Sequence, residues 1–164
     1  MDFLEKTISR HRSTGILVDS NLLLLLFAGL CDRSLVTRMK RLNAYSLEDF
    51  DLLVSFCELF ERRVATPHIL TEVSNLSEKG KEPVLRMFFE FLSRHFAELN
   101  ERYEESALLA KHALFVSFGL ADAGICKTSE DGILVLTDDL RLYAALERRG
   151  APAVNFNHLR MWLL

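Results

Sequence analysis

Short apolar runs alternate along the chain with longer stretches in which apolar residues recur every three or four positions. Residues 16–19 form an apolar run that ends in Asp19, and residues 133–136 form a second run that precedes Thr137 and two aspartates. Both patterns are typical of strands buried on both faces. Residues 64–65 and 153–155 are shorter strand candidates. The helical spacing predicts helices over residues 21–30, 46–62, 67–76, 83–100, 104–118, 122–131, 139–149 and 158–163.

Strands separated by helices predict the fold class. Apolar strands of this kind pair in parallel and need helices on both faces, so we expect an α/β protein, a three-layer α/β/α sandwich with a short central parallel sheet of the Rossmann-like type. The 164 residues contain no low-complexity linker and no repeat, which indicates one domain over residues 1–164.

Composition indicates the general class of protein and its cellular compartment. Hydrophobic residues make up 49% and charged residues 26% of the chain, as in ordinary globular proteins. Three distant cysteines without a CxxC pair give no disulfide framework and no zinc–cysteine site. The longest apolar run, residues 22–31, is too short to cross a membrane, and residues 1–12 lack a secretory pattern. We therefore expect a cytoplasmic protein without a membrane partner.

Acidic residues fall where a parallel sheet would gather them. Asp19 and the pair Asp138 and Asp139 follow the two best strands, whose carboxyl ends share one edge. Asp122 shares the apolar face of its helix, and Glu72 flanks one. Each acid also has a purely structural interpretation. Asp122 and Asp139 could be helix N-caps, Glu72 could lie at the edge of a helix face, and Asp19 could simply end a strand. Together they would repel one another unless a cation is present, and oxygen ligands favour Mg²⁺ or Mn²⁺.

Four segments carry a family resemblance. ILVDSN (16–21), TPHILTEVSNL (66–76), GLADAGIC (119–126) and ILVLTDDLRL (133–142) resemble, in order, the four acidic motifs of the PIN domain. Within that family, the segments most resemble the subgroup of VapC-like ribonuclease toxins of toxin–antitoxin pairs. The resemblance implies a PIN-like fold and a Mg²⁺- or Mn²⁺-dependent endoribonuclease that uses water as the nucleophile.

The resemblance also implies residue roles. It makes Asp19, Glu72, Asp122 and Asp139 catalytic, with Asp19, Asp122 and Asp139 as metal ligands and Glu72 acting directly or through water. Thr137 and Asn21 would orient carboxylates, and Asp138 is the reserve for Asp139. Residues 1–14 and 31–46 look longer than in many of the family's toxins.

The net charge of −3 means that RNA would need a local cationic path. The densest basic stretch, with a solvated face or an antitoxin contact as its alternatives, contains Arg33, Arg38, Lys40 and Arg41. Weaker candidates are Arg10, Arg12, Arg148 and Arg149, and His68 lies one turn before Glu72. The phenylalanine-rich helix near residues 84–99 suggests a homodimer, an antitoxin groove or a thick core.

Other classes stay open or are excluded. The alternatives are a PIN-fold module that binds RNA or protein without cutting, a housekeeping RNA-processing nuclease, and a phosphotransferase or phospho-receiver domain. A phospho-receiver should carry a lysine after a late strand, and the segment after Leu136 offers only Arg141. The chain has no P-loop, no dinucleotide-binding glycine motif, no nucleophile elbow and no HxxxH or HExxH spacing.

Overall fold

The structure is a computed structural model that describes residues 2–77 and 83–163. Its strands are β1 Ile16–Val18, β2 Arg63–Ala65, β3 Asn100–Glu101, β4 Leu134–Thr137 and β5 Ala153–Asn155. Its helices are α1 Asp2–His11, α2 Ser20–Cys31, α3 Ser34–Arg38, α4 Leu47–Cys57, α5 Pro67–Leu76, α6 Pro83–Phe96, α7 Ser106–Leu109, α8 Phe115–Phe118, α9 Leu120–Ser129, α10 Leu140–Arg148 and α11 Phe156–Leu163.

The five strands form one parallel sheet in the order β3-β2-β1-β4-β5. The chain moves outward from β1 to β3 and then returns to the other side of β1 as β4. This reversal makes the boundary between β1 and β4 the topological switch point, where ligands of doubly wound sheets bind beyond the carboxyl ends of the strands. The sheet and its flanking helices confirm the predicted α/β/α class.

The core lies around β1, β4 and α2. Every residue of β1 and β4 is buried, as the unbroken apolar runs predict. Helix α2 is buried from Leu22 to Gly29 because other elements surround it. Its apolar residues therefore cover all sides of the helix instead of one face. At Gly29 the helix touches the ring of Phe50 in α4, and a methyl group there would overlap the ring. Helices α4, α5 and α6 all pack against α2.

Two predicted helices end earlier than the periodicity indicates. The helix predicted over residues 46–62 begins after its N-cap Ser46 and ends at Cys57, because the chain then turns to enter β2. The helix predicted over residues 83–100 ends at Phe96, and Asn100 pairs with Val64 as an edge strand instead.

The helix predicted over residues 104–118 is wrong as one element. It is split into α7 and α8 by a turn around His112, whose Nδ1 accepts the Leu114 N–H at 3.2 Å. A side chain that binds nearby backbone in this way competes with the helical hydrogen bond. The start of the chain differs too, because α1 occupies residues for which the sequence predicted no element.

The aromatic face of α6 packs in part against α2. The Phe91 and Phe96 rings lie 6.2 and 6.0 Å from the ring of Phe27 in α2, and Phe88 is fully buried. Core packing therefore explains part of the excess of phenylalanine, while Phe89, Phe91 and Phe96 stay half-buried. Within residues 2–77 and 83–163, no helix has the length and apolar character needed to cross a membrane.

Candidate functional site at the carboxyl ends of β1 and β4

Asp19 and Thr137 join the two central strands at the switch point. The Asp19 N–H donates to the Leu136 carbonyl at 2.9 Å, which continues the pairing of β1 with β4. The buried Thr137 hydroxyl donates to Asp19 Oδ2 at 2.7 Å and accepts the Asp139 N–H at 3.0 Å. One threonine thus fixes a carboxylate from the first strand and the backbone beside an acid from the fourth.

Asp19 is held in a single orientation. Its side chain is 9% exposed and also accepts the Ser20 N–H at 2.6 Å. The pKa of Asp19 is raised to about 6 overall. Burial is the largest cause and repulsion by Asp138 and Glu72 adds to it, while the hydrogen bonds from Thr137 and Ser20 act in the opposite direction. The carboxylate therefore ionises close to neutral pH when no cation is nearby.

Glu72 reaches this site from the second strand's helix. The Thr66 hydroxyl accepts the Ile69 N–H at 3.3 Å and Pro67 occupies the first turn, so α5 begins directly after β2 as predicted. Helix α5 packs beside α2 and α9. The Ser20 hydroxyl donates to Glu72 Oε2. Glu72 is thereby tied to the residue next to Asp19.

Asp122 approaches from the third crossover. Gly119, whose φ of +89° favours glycine, occupies the N-cap position of α9, and Asp122 lies in the first turn. Burial raises the pKa of Asp122 to about 7, and repulsion by Asp19, Asp139 and Glu72 adds to the rise, while Arg141 lowers it. Asp122 makes no hydrogen bond within the described ranges, so its carboxylate has free acceptor capacity.

The two acids after β4 are held in different ways. Asp139 is exposed and caps α10, accepting the N–H groups of Arg141 at 2.7 Å and Leu142 at 3.2 Å. Asp138 is half-buried and accepts the Tyr45 hydroxyl at Oδ2, while its Oδ1 is buried without a partner in the described part of the chain. The structure therefore separates a capping acid from one whose remaining oxygen is unsatisfied.

Helix α11 contacts both the segment that carries Asp138 and the start of α4. The Asn157 amide donates to the Asp138 carbonyl at 3.0 Å, and the Arg160 guanidinium contacts the buried Asp49 carboxylate at 2.7 Å. Asp49 also accepts the Ser46 N–H at 2.8 Å in a capping box at the start of α4. The C-terminal helix thus links α4 to the loop that carries the two aspartates.

We call Asp19, Glu72, Asp122 and Asp139 the acidic edge. Asp19, Asp139 and Glu72 each repel the Asp122 carboxylate, so side chains from three other segments lie within electrostatic range of Asp122. The donor set consists of oxygen ligands with unsatisfied acceptor capacity and too little nearby positive charge, which fits a hard divalent cation. Among residues 2–77 and 83–163, however, no three His, Cys, Asp or Glu side chains meet in a ready-made metal geometry.

Arg141 supplies a cation at the rim. Its guanidinium carbon lies 5.4 Å from the centroid of the Phe118 ring, a cation–π distance that holds an exposed side chain in place. Because the Arg141 charge lowers the pKa of Asp122, the two groups are within electrostatic range. A phosphate that approached the acidic edge would meet this cation.

The basic residues of the stretch from Arg33 to Arg41 differ in whether their charges are paired. Arg33 forms two hydrogen bonds to Asp51, at 2.5 and 3.0 Å, so its charge is compensated. Arg38, Lys40 and Arg41 are exposed and have no ion pair to any residue that the structure describes. Tyr45, four residues after Arg41, reaches Asp138, which brings the end of the stretch toward the acidic edge.

Some side chains differ from their expected roles. Asn21 was expected to orient Asp19, but its side chain donates no hydrogen bond to it, and Ser20 and Thr137 do so instead. His68 lines a separate cavity of about 170 Å³ beside Gly124. Tyr45, Asn157 and Arg141 were missed because their partners are distant in sequence or because their environment depends on packing.

Comparison with known proteins adds no relative, since no family model matches the chain and no curated protein or solved structure is significantly similar to it. Any functional conclusion therefore depends on the acidic edge and on the residues around it.

Proposed function

We propose that this protein is a metal-dependent endoribonuclease that hydrolyses RNA phosphodiester bonds at the acidic edge. The observation that carries the proposal is the convergence of Asp19, Glu72, Asp122 and Asp139 beyond the switch point of a parallel sheet. Their order along the chain and their positions on the elements agree with the PIN domain motifs that the sequence resembles. In the strand order 3-2-1-4-5, Asp19 follows β1 and Asp139 follows the neighbouring strand β4.

Asp19 and Asp122, with Asp139, are the residues that would hold Mg²⁺ or Mn²⁺, and Glu72 would complete the set directly or through water. When bound, such an ion neutralises phosphate charge, lowers the pKa of an attacking water and stabilises the leaving oxygen. Thr137 keeps the Asp19 carboxylate in one rotamer through its 2.7 Å hydrogen bond. The free acceptor capacity of Asp122 leaves its oxygens available for the cation.

Cationic side chains near this edge would guide the substrate. Arg141 presents a guanidinium at the rim, where it offers two parallel hydrogen bonds to a phosphate. Arg38, Lys40 and Arg41 provide a path for the RNA backbone that leads toward Tyr45. A locally positive path of this kind offsets the repulsion that a protein with a net charge of −3 exerts on RNA.

The biological setting is part of the same proposal. From the family resemblance we propose the role of the toxin in a toxin–antitoxin pair, acting in the cytoplasm with a small antitoxin protein as its partner, and from the sequence we propose a homodimer. A housekeeping RNA-processing nuclease would use the same acidic edge and differ only in its substrate.

Cleavage of a labelled RNA in Mg²⁺ or Mn²⁺, with EDTA as the metal-free condition, tests the activity. We expect wild type to produce fragments only with metal, and Asp19→Asn and Asp122→Asn to produce none. Asp131→Asn, which changes an exposed acid outside the acidic edge, is the matched control and should cleave like wild type. Equal cleavage by all four proteins would refute the site, and RNA binding without any cleavage would favour a non-cleaving module.

A further inference from the structure

A cavity bordered by described residues lies at the opposite edge of the sheet from the acidic edge. It has a volume of about 860 Å³ and is bordered by α1, the end of α9, and the turn between α10 and β5. These segments meet at the amino ends of β4 and β5, far along the strands from Asp19 and Asp139. The volume falls within the range of about 300–1,000 Å³ that is usual for small-molecule sites. We call this cavity the amino-edge groove.

The wall formed by α1 is fixed to the sheet. His11 Nδ1 lies 2.7 Å from the Gly132 carbonyl, and the Thr14 hydroxyl donates to the same oxygen at 2.8 Å. The carbonyl can only accept, so the hydrogen of the imidazole is on Nδ1. Two donors on one carbonyl at the start of β4 hold the end of α1 in place. The groove is therefore shaped by specific contacts and does not depend on a loosely attached helix.

The lining charges favour an anion. Arg10 and Arg149 face the groove, and neither forms an ion pair within residues 2–77 and 83–163. Of the two acids of the lining, Glu130 is paired with the Lys127 ammonium at 2.6 Å, whereas Glu147 accepts the neutral hydroxyl of Tyr143 and keeps its charge. The two guanidinium groups, from residues that are distant in sequence, therefore outnumber the one carboxylate of the lining that has no cationic partner among the described residues. Guanidinium groups bind phosphate through paired hydrogen bonds.

An aromatic ring lies at the same groove. Phe3 in α1 lines it and is 73% exposed, although a phenylalanine of this size is usually buried. An exposed ring that lines the same groove as two guanidinium groups suits a ligand that carries both a planar ring and a phosphate. We infer that the amino-edge groove binds a nucleoside monophosphate, with its phosphate on Arg10 and Arg149 and its base against Phe3. This inference is independent of the proposed nuclease function, because the two sites share no residue.

Isothermal titration calorimetry with AMP, adenosine and inorganic phosphate tests the inference. We expect AMP to bind, inorganic phosphate to bind more weakly, and adenosine to give no signal. The double variant Arg10→Ser/Arg149→Ser should weaken AMP binding by about tenfold or more, because it removes charge-assisted hydrogen bonds. Phe3→Ala should weaken AMP binding by about three- to tenfold while leaving phosphate binding unchanged, because it removes only stacking.

The matched control is Arg12→Ser/Arg148→Ser, which removes the same charge from neighbouring exposed residues that do not line the groove. It should bind AMP like wild type, and so should Asp122→Asn, whether or not RNA is cleaved. A 5′-phosphorylated RNA trinucleotide that binds more tightly than AMP, with the same dependence on both arginines, would identify a strand end as the source of the nucleotide. AMP binding that is absent, no tighter than phosphate binding, or equal in the two double variants would overturn the inference.

Discussion

At the scale of single residues, Asp19 and Asp122 differ in what holds their carboxylates. Asp19 accepts hydrogen bonds from Ser20 and Thr137, which partly offset the cost of burying its charge. Asp122 has no such donor among the described residues, and three other acids repel it. Replacing each acid by an amide should therefore affect stability differently.

We expect Asp122→Asn to raise the melting temperature in EDTA at about pH 8, because the change removes a repelled charge and no hydrogen bond. Asp19→Asn should give a smaller rise or none, because its amide cannot accept both hydrogen bonds that the carboxylate accepts. Thermal unfolding followed by circular dichroism measures both variants. A lower melting temperature for Asp122→Asn would contradict the electrostatic description of the acidic edge.

Tyr45 carries a second prediction at this scale. Asp138 Oδ1 already lacks a partner, so Tyr45→Phe would leave the half-buried carboxylate without its donor at Oδ2 as well. We expect the free energy of unfolding to fall by about 1–3 kcal/mol, as measured in urea. Tyr103→Phe, at a ring that is 77% exposed, is the control and should change little. Equal values for both variants would show that the Tyr45 hydroxyl contributes nothing.

Residue roles were predictable where one local pattern defined them. Asp19 and Thr137 follow apolar runs, and their placement at neighbouring strand ends follows from parallel pairing. Tyr45 was not predictable, because its hydroxyl meets Asp138 across 93 positions of sequence. Its position depends on the path of residues 39–46 between α3 and α4, and no periodicity in that segment specifies this path.

At the scale of elements, two glycines in helices give opposite expectations. Gly29 in α2 lies against the Phe50 ring, which leaves no room for a methyl group. Gly124 in α9 has Leu109 and His68 atoms at 3.5 and 3.7 Å from where a methyl group would lie, which is ordinary contact. The same substitution therefore tests helix packing at one site and helix propensity at the other.

Gly29→Ala should lower the free energy of unfolding by about 1–3 kcal/mol, because overpacking outweighs better helix propensity. Gly124→Ala should raise it by up to about 1 kcal/mol, because alanine reduces the backbone entropy lost on folding. Urea denaturation of both variants provides the comparison. Stabilisation by Gly29→Ala would mean that α2 and α4 pack less closely than the structure indicates.

Elements were predictable in proportion to the strength of their own signals. The helix α5 was found by its Thr66-Pro67 start, and β1 and β4 by their unbroken apolar runs. Strand β3 has only two exposed residues, Asn100 and Glu101, so it shows no alternation, and only its pairing with β2 defines it. Short edge strands are specified by tertiary contacts rather than by local pattern.

At the scale of the whole molecule, strand order 3-2-1-4-5 separates two regions of opposite charge. The acidic edge lies beyond the carboxyl ends of β1 and β4, and the amino-edge groove lies at the other ends of β4 and β5. The fold class followed from the alternation of strands and helices, whereas the order of the strands and the groove did not. Both require knowledge of which face each crossover takes.

The acidic edge should make stability depend on pH in an unusual direction. Asp19 and Asp122 have a pKa of about 6 and about 7 in the folded protein, against 3.8 for an ordinary aspartate. Between these values the folded state binds more protons than the unfolded state, so the free energy of unfolding falls as pH rises. For Asp19 alone the difference corresponds to about 3 kcal/mol.

Urea denaturation in EDTA from about pH 5 to about pH 8 measures this dependence. We expect wild type to lose stability over that window and Asp122→Asn to lose less of it. Added Mg²⁺ should restore stability at the upper end in wild type, because a ligand that binds only the folded state stabilises it. A flat profile, identical in both proteins, would contradict the raised pKa values.

The most direct test of the acidic edge is calorimetric titration of the metal-free protein with Mn²⁺ at about pH 8, above the raised pKa values of Asp19 and Asp122. We predict saturable binding by wild type and by Asp131→Asn, and a loss of affinity of about tenfold or more in Asp122→Asn and in Asp19→Asn. Binding that is unaffected by both substitutions, or no binding by wild type, would contradict the claim that these four acids form a divalent-cation site.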